Sequence, residues 1–438
     1  MRFRHRLRIG ALAAALLATT LTVSATPAGA ETAGVTTQAV FNNPIGAEDE
    51  QRAIVNKQIE LINGAPAGSR IRLAMYYATD PALPDALVAA HQRGVQVQAI
   101  FDIKATEVPK EPGHPIPKVQ WDKLVAALGT DKSRTSWVMH CGTNRGCVGT
   151  RAYGAPIVYA IMHNKFLLLS ETLGTPRVVV QSSANLHNGR DGAKGWNNAL
   201  VLAGNDAIYS AYDGYFDDMA ARRSNTDYYT TGRPPLASGN AKIHFYPRAA
   251  TSDSVFYSDS SNDTISTILN NVKCYGNSVV GTTDTHRTRI RVSMTAFARP
   301  YLADKLNQLD AQGCYIEVVA TYSPPPPGED SMQKTSMEKL LARTTSSYGG
   351  VITKYYCGAD STWIHDKYLL IEGNYYNTPD LKVLWTGSHN WTTNSLRQSD
   401  ETMLQMQDAA LHDAYVANFN KTRAATTHQP ANGDALTC

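Results

Sequence analysis

The chain carries the run RIRLAM at residues 70–75, and a closely similar run, RIRVSM, at residues 289–294. Each run is short, rich in apolar residues and preceded by polar residues, which is typical of a β-strand. Self-similarity at a fixed distance along a chain indicates an internal repeat. The two runs therefore predict that the protein contains two copies of one structural unit.

The residues that follow each run correspond as well. A helix-like stretch leads to a glycine, and the glycine opens a second apolar, strand-like run. Strand, helix, glycine stop and strand describe a βαβ unit, in which the strands are parallel and the crossover is right-handed. The sequence therefore predicts an α/β protein, with these elements at 82–92, Gly94 and 95–100 in the first copy and at 301–312, Gly313 and 314–319 in the second.

Three later landmarks recur in the same order and support the duplication. They end before a Pro/Gly-rich bridge at 231–239 in the first copy, so we predict halves at 31–235 and 236–438. The landmarks are His163-Asn164-Lys165 with His365-Asp366-Lys367, Ser183-Ala184-Asn185 with Ser388-His389-Asn390, and the helix-like stretches 211–216 and 414–419.

The first thirty residues have the pattern of a secretory signal peptide. Arg2, Arg4, Arg6 and Arg8 precede an apolar stretch, and the small residues 28–30 offer a cleavage site. Cleavage after Ala30 is expected, with Ala25 as the alternative. The apolar stretch is too short to predict a membrane span, so the remaining chain is expected to be exported and to have no transmembrane segment.

The charge balance disfavours nucleic acid as a partner. The whole chain has 41 Lys and Arg against 38 Asp and Glu, and four of the arginines lie in the expected signal peptide. The exported chain is therefore close to neutral. Proteins that bind nucleic acid gain much of their affinity by neutralising phosphates, which requires a basic surface.

The six cysteines are an even set in a chain that is expected to be exported, which favours disulfides. Cys141 and Cys147 bracket a short glycine-containing loop. Cys274 and Cys314 precede neighbouring parallel strands at one sheet edge, which would leave Cys357 for Cys438. Other connectivities stay open from sequence alone, and a zinc site is disfavoured because the spacing of close ligand pairs is missing.

Each His-x-Lys segment stands at the start of an apolar, strand-like run. Side chains two residues apart share a face of a strand, so His163 and Lys165 point the same way, as do His365 and Lys367. Brought together across a pseudo-twofold axis, the two segments and their Ser-x-Asn turns would surround a tetrahedral anion. This set suits phosphoryl transfer without a metal or other cofactor, because two lysines and two asparagines can hold the non-bridging oxygens.

At these residues the chain resembles the phospholipase D superfamily. His163-x-Lys165 and His365-x-Lys367, each followed by a Ser-x-Asn turn, are similar to the two HKD motifs of that family. The resemblance implies two pseudo-twofold-related α/β sandwich halves with one active site between them. It also implies that one histidine attacks phosphorus and that the other protonates the leaving alcohol and then activates water. By position, His163 is expected to be the nucleophile and His365 the acid and base.

Further site residues follow from the same resemblance. The family orients a catalytic histidine with a carboxylate after the motif Asn; Glu401 occupies that position in the second copy, and Asn198 in the first. The motif Asp is replaced by Ser170 and Glu372. The expected catalytic residues are His163, Lys165, Asn185, His365, Lys367, Asn390 and Glu401, and the expected substrate-binding residues are Ser183, Ser388 and Asn198.

These features together predict a secreted phospholipase D that cleaves the head-group phosphodiester of phospholipids at a membrane or micelle surface, with head-group exchange as a possible second outcome. A monomer is expected. One alternative is a secreted, metal-independent nuclease that uses the same site, and it would require a basic groove beside Lys165 and Lys367. Another is a binding protein without activity, which the two intact His-x-Lys pairs disfavour.

Overall fold

The computed structural model describes Met1 and residues 34–109, 115–326, 328–343 and 346–438. Apart from Met1, the expected signal peptide lies outside these residues. Gly34–Cys438 forms a single compact unit, so the two predicted halves are parts of one body. Among the described residues, we find no helix long and apolar enough to cross a membrane.

The first half contains nine strands and five α-helices in the described residues. The strands are β1 (Gln38–Phe41), β2 (Arg70–Met75), β3 (Gln96–Phe101), β4 (Trp137–His140), β5 (Ala152–Tyr153), β6 (Val158–Tyr159), β7 (Lys165–Thr172), β8 (Thr175–Ser182) and β9 (Asn198–Leu202). The helices are α1 (Glu48–Gln51), α2 (Ala53–Asn63), α3 (Ala82–Gln92), α4 (Pro117–Leu128) and α5 (Asp206–Ala220).

The second half repeats most of this order. Its strands are β10 (Leu236–Ser238), β11 (Ala241–Phe245), β12 (Val272–Lys273), β13 (Arg289–Met294), β14 (Tyr315–Tyr322), β15 (Ile352–Cys357), β16 (Lys367–Tyr375), β17 (Thr378–Gly387) and β18 (Thr402–Met406). Its helices are α6 (Thr264–Asn270), α7 (Pro300–Ala311), α8 (Met332–Leu341), α9 (Thr393–Arg397) and α10 (Ala409–Ala424).

The predicted βαβ units are confirmed in both halves. β2 pairs in parallel with β3, and β13 pairs in parallel with β14. Gly94 and Gly313 both have positive φ, which lets the chain turn sharply from the helix into the next strand. The first large sheet has the order β1-β9-β8-β7-β2-β3-β4, and the second contains the equivalent order β11-β18-β17-β16-β13-β14-β15. The two sheets are therefore copies of one topology.

Alternation along the strands places each sheet between two apolar layers. Leu167 and Leu169 of β7 belong to the core under α2, α3 and α4, whereas Leu168 belongs to a core that both halves share. The shared core includes α5 and α10; α5 also packs on β11, and α10 also packs on β1. Each closing helix thus contacts the sheet of the opposite half.

The three expected disulfides are confirmed. They join Cys141 to Cys147, Cys274 to Cys314, and Cys357 to Cys438. The second of them links the residue after β12 to the residue before β14, as the common sheet edge predicts.

Each half contains an ion pair at the equivalent place, and the acidic and basic residues occupy opposite positions in the two halves. In the second half, Asp263 precedes α6 and lies 2.8 Å from Arg299, and both side chains are almost fully buried. In the first half, Arg52 precedes α2 and lies 2.7 Å from Asp80. The Arg52 side chain retains 19 % exposure and also donates to Asn188, so its charge has contact with water and a second partner.

Asp263→Asn is expected to lower the free energy of unfolding by about 3–5 kcal/mol, because it leaves the Arg299 guanidinium buried without an anion. Asp80→Asn, the matched change in the first half, is expected to cost only about 1 kcal/mol, since Arg52 reaches solvent. Urea unfolding of both variants measures the difference. Equal losses would contradict the role assigned to burial.

Candidate active site

The two His-x-Lys segments lie at the starts of equivalent central strands. Lys165 is the first residue of β7 and pairs with Met75, and Lys367 is the first residue of β16 and pairs with Met294. The residue between His and Lys points away from both in each copy: Asn164 donates to the Tyr215 hydroxyl, and Asp366 accepts from Asn198. The shared face of His and Lys that the sequence predicts is thus consistent with the structure.

Each histidine is joined through its backbone to the opposite half. The His163 amide donates to the Asp400 carbonyl at 3.0 Å, and the His365 amide donates to the Trp196 carbonyl at 2.8 Å. These hydrogen bonds extend two short bridges between the halves, one at Met162 and Asp400 and one at Trp196 and Ile364. The structure therefore brings both segments to the junction of the two halves.

The bridge at His163 also delivers a carboxylate. Glu401 follows Asp400, and its Oε1 lies 2.8 Å from His163 Nδ1. Burial opposes the ionisation of Glu401, but the charge of His163 and the hydrogen bond to it keep the pKa of Glu401 below its ordinary value. Burial lowers the pKa of His163, Glu401 opposes this effect, and Lys165 adds to it. The pair is a buried imidazole whose Nδ1 faces a carboxylate.

The bridge at His365 delivers an amide instead. Asn197 Oδ1 lies 3.0 Å from His365 Nδ1, and within the described parts of the chain no carboxylate hydrogen bonds to this imidazole. Burial lowers the pKa of His365 well below its ordinary value, and Lys367 lowers it further. The two histidines are thus held at the same ring atom by partners of different charge.

Asn198 was expected at the position that Asn197 occupies, and the structure corrects this. Asn198 starts β9 and is fully buried; it donates to Asp366 at 2.7 Å and accepts from Thr386 at 2.6 Å. Adjacent residues of an extended segment point in opposite directions, so only one of the two asparagines can reach His365. Asn197 is 12 residues after Asn185, whereas Glu401 is 11 residues after Asn390, so the spacing of the second copy does not fall on either asparagine of the first.

Ser183 and Ser388 were expected to contact substrate, but the structure buries both behind the partners of the histidines. Ser183 donates to Asn197 Oδ1 at 2.8 Å. Ser388 accepts from the amide of Thr402, the residue after Glu401, at 3.1 Å, and its side chain helps to lower the pKa of Glu401. Both serines therefore support the group that orients a histidine, and neither is exposed.

The two lysines are fully buried and hold the same backbone position in each copy. Lys165 Nζ donates to the His163 carbonyl at 2.8 Å, and Lys367 Nζ donates to the His365 carbonyl at 2.6 Å. Their remaining neighbours differ, because Lys367 also donates to Thr295 whereas Lys165 lies 5.4 Å from the centre of the Tyr76 ring. Sequence analysis did not assign Tyr76 or Thr295 to the site, although Tyr76 directly follows β2 and Thr295 directly follows β13.

The positive charges of the two buried lysines are only partly compensated by the carboxylates around them. Burial lowers the pKa of Lys165 to about 7, in spite of the nearby carboxylates of Glu401 and Asp191. Burial also lowers the pKa of Lys367 well below its ordinary value, and the charge of Lys165 lowers it further. An anion placed between the lysines would offset both effects, since an opposite charge favours the protonated form. The arrangement is therefore suited to bind a phosphate-like group.

The asparagines of the two Ser-x-Asn turns differ in their contacts. Asn185 Nδ2 donates to Asp191 at 3.0 Å, and its buried Oδ1 is without a hydrogen-bond partner among the described residues. The Oδ1 of Asn390 is likewise unpartnered there. Asp191 was missed by sequence analysis, because the corresponding stretch of the second copy contains α9 and offers no residue to align with it.

The residues in place of the family's motif Asp are bound to β2 in the first copy and to β13 in the second. Ser170 Oγ accepts from the Arg70 amide at 2.8 Å, and Glu372 lies 3.3 Å from the Arg291 guanidinium. Both positions are at the far ends of β7 and β16 from the histidines. Their side chains support the sheets and do not reach the His-x-Lys cluster.

Comparison with known proteins identifies the family. A family model described as "Cardiolipin synthase, PLD-like domain" matches residues 59–220 and 283–423, and each segment contains one His-x-Lys and one Ser-x-Asn. These segments make up more than half of the chain, so the protein belongs to this family within the phospholipase D superfamily. The membership supports a phosphodiesterase-type activity.

Solved structures agree at the level of the fold. Phosphatidylserine synthase from Haemophilus influenzae matches with a TM-score of 0.56 and 13 % identity, over 91 % of this chain and 89 % of that one. Polyphosphate kinase from Porphyromonas gingivalis matches with a TM-score of 0.51 and 13 % identity, over 88 % of this chain; the match spans half of the kinase. No curated protein matches the chain in sequence.

Glu401→Gln is expected to lower the pKa of His163, because the carboxylate is the group that raises it against burial. Asn197→Asp is the mirror change and is expected to raise the pKa of His365, since it places a carboxylate at the same ring atom. Imidazole nitrogen NMR of histidine-labelled protein across a pH series measures both. A His163 titration that is unchanged in Glu401→Gln would show that the pair does not act through charge.

Proposed function

We propose that this protein is a secreted phospholipase D, which hydrolyses the head-group phosphodiester of phospholipids through a phosphohistidine formed on His163. The observation that carries the proposal is the pair of buried His-x-Lys segments at the junction of the halves, one histidine facing Glu401 and the other facing Asn197. The disulfides are compatible with an extracellular protein.

His163 is suited to be the nucleophile. Its Nδ1 is occupied by Glu401, which leaves Nε2 to attack phosphorus. Attack forms a P–N bond and gives the ring a positive charge, and the Glu401 carboxylate stabilises that charge. Ser388 accepts from the amide of Thr402, the residue after Glu401, and so supports the segment that presents the carboxylate.

His365 is suited to be the acid and base. Its Nδ1–H donates to Asn197 Oδ1, so the proton in transit is carried at Nε2. As the P–O bond to the head group breaks, the Nε2 proton passes to the leaving oxygen. In the second step the neutral imidazole takes a proton from water, which attacks phosphorus and breaks the P–N bond. An uncharged partner holds the proton less firmly than a carboxylate, which favours its release.

Lys165 and Lys367 are suited to hold the non-bridging oxygens. Phosphoryl transfer depends mostly on positioning and on stabilisation of charge. Both ammonium groups are already fixed by the histidine carbonyls, so they need little reorganisation when the phosphodiester binds.

An exposed apolar hairpin beside His163 favours a lipid substrate. β5 and β6 form this hairpin, and Ile157, Val158 and Tyr159 retain 59 %, 44 % and 39 % exposure. The chain runs from Tyr159 through only three residues to His163. Apolar side chains clustered on a surface mark an interaction site for membranes or proteins. A phospholipid would present its phosphodiester to the site while its acyl region meets the hairpin.

The hairpin is held firmly by the second half. Gln398 donates to the Val158 carbonyl at 2.9 Å, and Asn394 donates to the Tyr159 carbonyl at 3.0 Å. Its backbone is thereby tied to the segment that carries Asp400 and Glu401. The segment that holds the apolar hairpin therefore also carries Glu401, the partner of His163.

In the presence of excess chelator, His163→Ala and His365→Ala are each expected to lower the rate of choline release from phosphatidylcholine vesicles by about 10²–10⁴-fold. His91→Ala, on α3, is the control and should retain full activity. With an activated leaving group, His365→Ala should accumulate acid-labile phosphohistidine on His163. Label on His365 in the His163→Ala variant would reverse the roles.

DNA incubated under the same conditions is expected to stay intact. Cleavage of DNA without release of choline would overturn the lipid assignment and favour the nuclease. Activity that survives both histidine substitutions would refute the mechanism.

Ile157→Asp with Val158→Asp is expected to weaken binding to phospholipid vesicles about tenfold or more, since it removes two apolar contacts and adds charge. Hydrolysis of a soluble short-chain phosphodiester should be unchanged, because the catalytic cluster is not altered. Val279→Asp is the control: Val279 is 77 % exposed, and its amide donates to Asp380 near the start of β17. Vesicle sedimentation measures binding, and equal effects of the two changes would argue against the hairpin.

A further inference from the structure

The loop between Asn185 and Asn197 carries an acidic residue that the mechanism above does not use. Asp191 accepts hydrogen bonds from Asn185 Nδ2 at 3.0 Å and from the Tyr77 hydroxyl, and its other oxygen contacts His187 Nδ1. Its side chain is about one-fifth exposed. Burial opposes its ionisation, but His187 and Tyr77 hold the pKa of Asp191 well below its ordinary value. Asp191 is therefore a carboxylate at neutral pH.

The loop is fixed against the segment that leads into His365. Arg190 donates to the Gly358 carbonyl at 2.6 Å and lies over the Trp363 ring at 4.1 Å. The Trp363 indole donates back to the Arg190 carbonyl at 2.7 Å. Asp191 thus follows a residue that is anchored, through Trp363, two positions before His365.

The same loop contacts the partner of His365. Asn197 Nδ2 donates to the carbonyl of Gly192, the residue after Asp191, at 2.9 Å. Asp191 and Asn197 therefore belong to one hydrogen-bonded loop. Asn197 contacts the His365 imidazole directly, whereas Asp191 acts on it without a hydrogen bond.

The charges around His365 are unbalanced without Asp191. Lys367, Lys165 and His163 all disfavour its protonated form, and burial acts in the same direction. Asp366 is adjacent in sequence, but its carboxylate faces Asn198 and Ser293. Among the described groups that act most strongly on His365, Asp191 is the one whose charge favours the protonated imidazole.

We propose that Asp191 is a positioning residue that supplies, from the loop, the negative charge which Asn197 does not supply. By its charge it favours the protonated form of His365, against burial and the positive charges of Lys367 and Lys165. The proposal rests on the proposed function, because it concerns its first chemical step. In that step the P–N bond to His163 forms, the P–O bond to the head group breaks, and the Nε2 proton of His365 passes to the leaving oxygen. Through Asn185 it also fixes the amide of the first Ser-x-Asn turn.

Asp191→Asn tests this through the leaving group. Choline needs a proton as it leaves, whereas p-nitrophenolate leaves without one. We expect kcat/KM for phosphatidylcholine to fall about tenfold near the alkaline limb, as the loss of one pKa unit predicts, and kcat/KM for phosphatidyl-p-nitrophenol to change by less than about threefold. The sign is set by the charge: Asp191 raises the pKa of His365, so the alkaline limb should move to lower pH in the variant.

Two further variants separate charge from structure. Asp206→Asn removes an exposed carboxylate on α5 and should leave both substrates and the limb unchanged. Asn197→Asp, added to Asp191→Asn, returns a carboxylate to His365 and should move the limb back toward higher pH.

An equal loss on the two substrates with an unmoved limb would overturn the proposal, and so would an Asp191→Asn variant that behaves as wild type. Failure of the proposed function looks different: the wild-type protein would then release neither alcohol.

Discussion

The site depends on one constraint, which is that each His-x-Lys segment is completed by the opposite half. The amide of His163 is bound to the carbonyl of Asp400, and the amide of His365 to the carbonyl of Trp196. The next residue in each case, Glu401 or Asn197, turns its side chain onto Nδ1 of the same histidine. Neither half alone contains a histidine together with its orienting partner. The reciprocal contacts of α5 and α10 with the opposite sheets serve the same end, because they fix the halves as one body.

Burial of this junction has an electrostatic consequence. Two lysines and two histidines share a volume with little water, and the charge of each raises the cost of charging the others. Glu401 and Asp191 offset only part of this cost. A phosphodiester brings the missing negative charge and the acceptor atoms together, so the free site favours its binding through the same interactions that later stabilise the transition state. Hydrogen bonds from the lysines to the histidine carbonyls keep the cations in place beforehand.

Much of this was predictable from sequence, for identifiable reasons. The βαβ units and the duplication follow from periodicity and repetition, and spacing favoured the three observed disulfides without excluding other pairings. The shared face of His163 and Lys165 follows from strand geometry alone. The partner of His365 was not predictable. The loops of the two copies differ in length by one residue, and the sequence does not show which of Asn197 and Asn198 points toward the imidazole. Ser183 and Ser388 were placed on the substrate, since their depth behind Asn197 and Glu401 is a tertiary property. Asp191 has no counterpart to align with, because α9 occupies the corresponding stretch of the second half.

The two halves differ from each other both at their ion pairs and at the partners of their histidines, and the physical constraints at these two places are different. At the ion pairs, Arg52 with Asp80 and Asp263 with Arg299 carry their charges in opposite order, since either order joins one cation to one anion. At the histidines the exchange is not free. A carboxylate stabilises the cationic ring of a phosphohistidine, whereas an acid that must release its proton is better served by a weaker partner. With Glu401 at His163 and Asn197 at His365, the two histidines have partners of different charge, which suits the two different roles that we propose for them. The distant charge of Asp191 then limits how far the pKa of His365 falls.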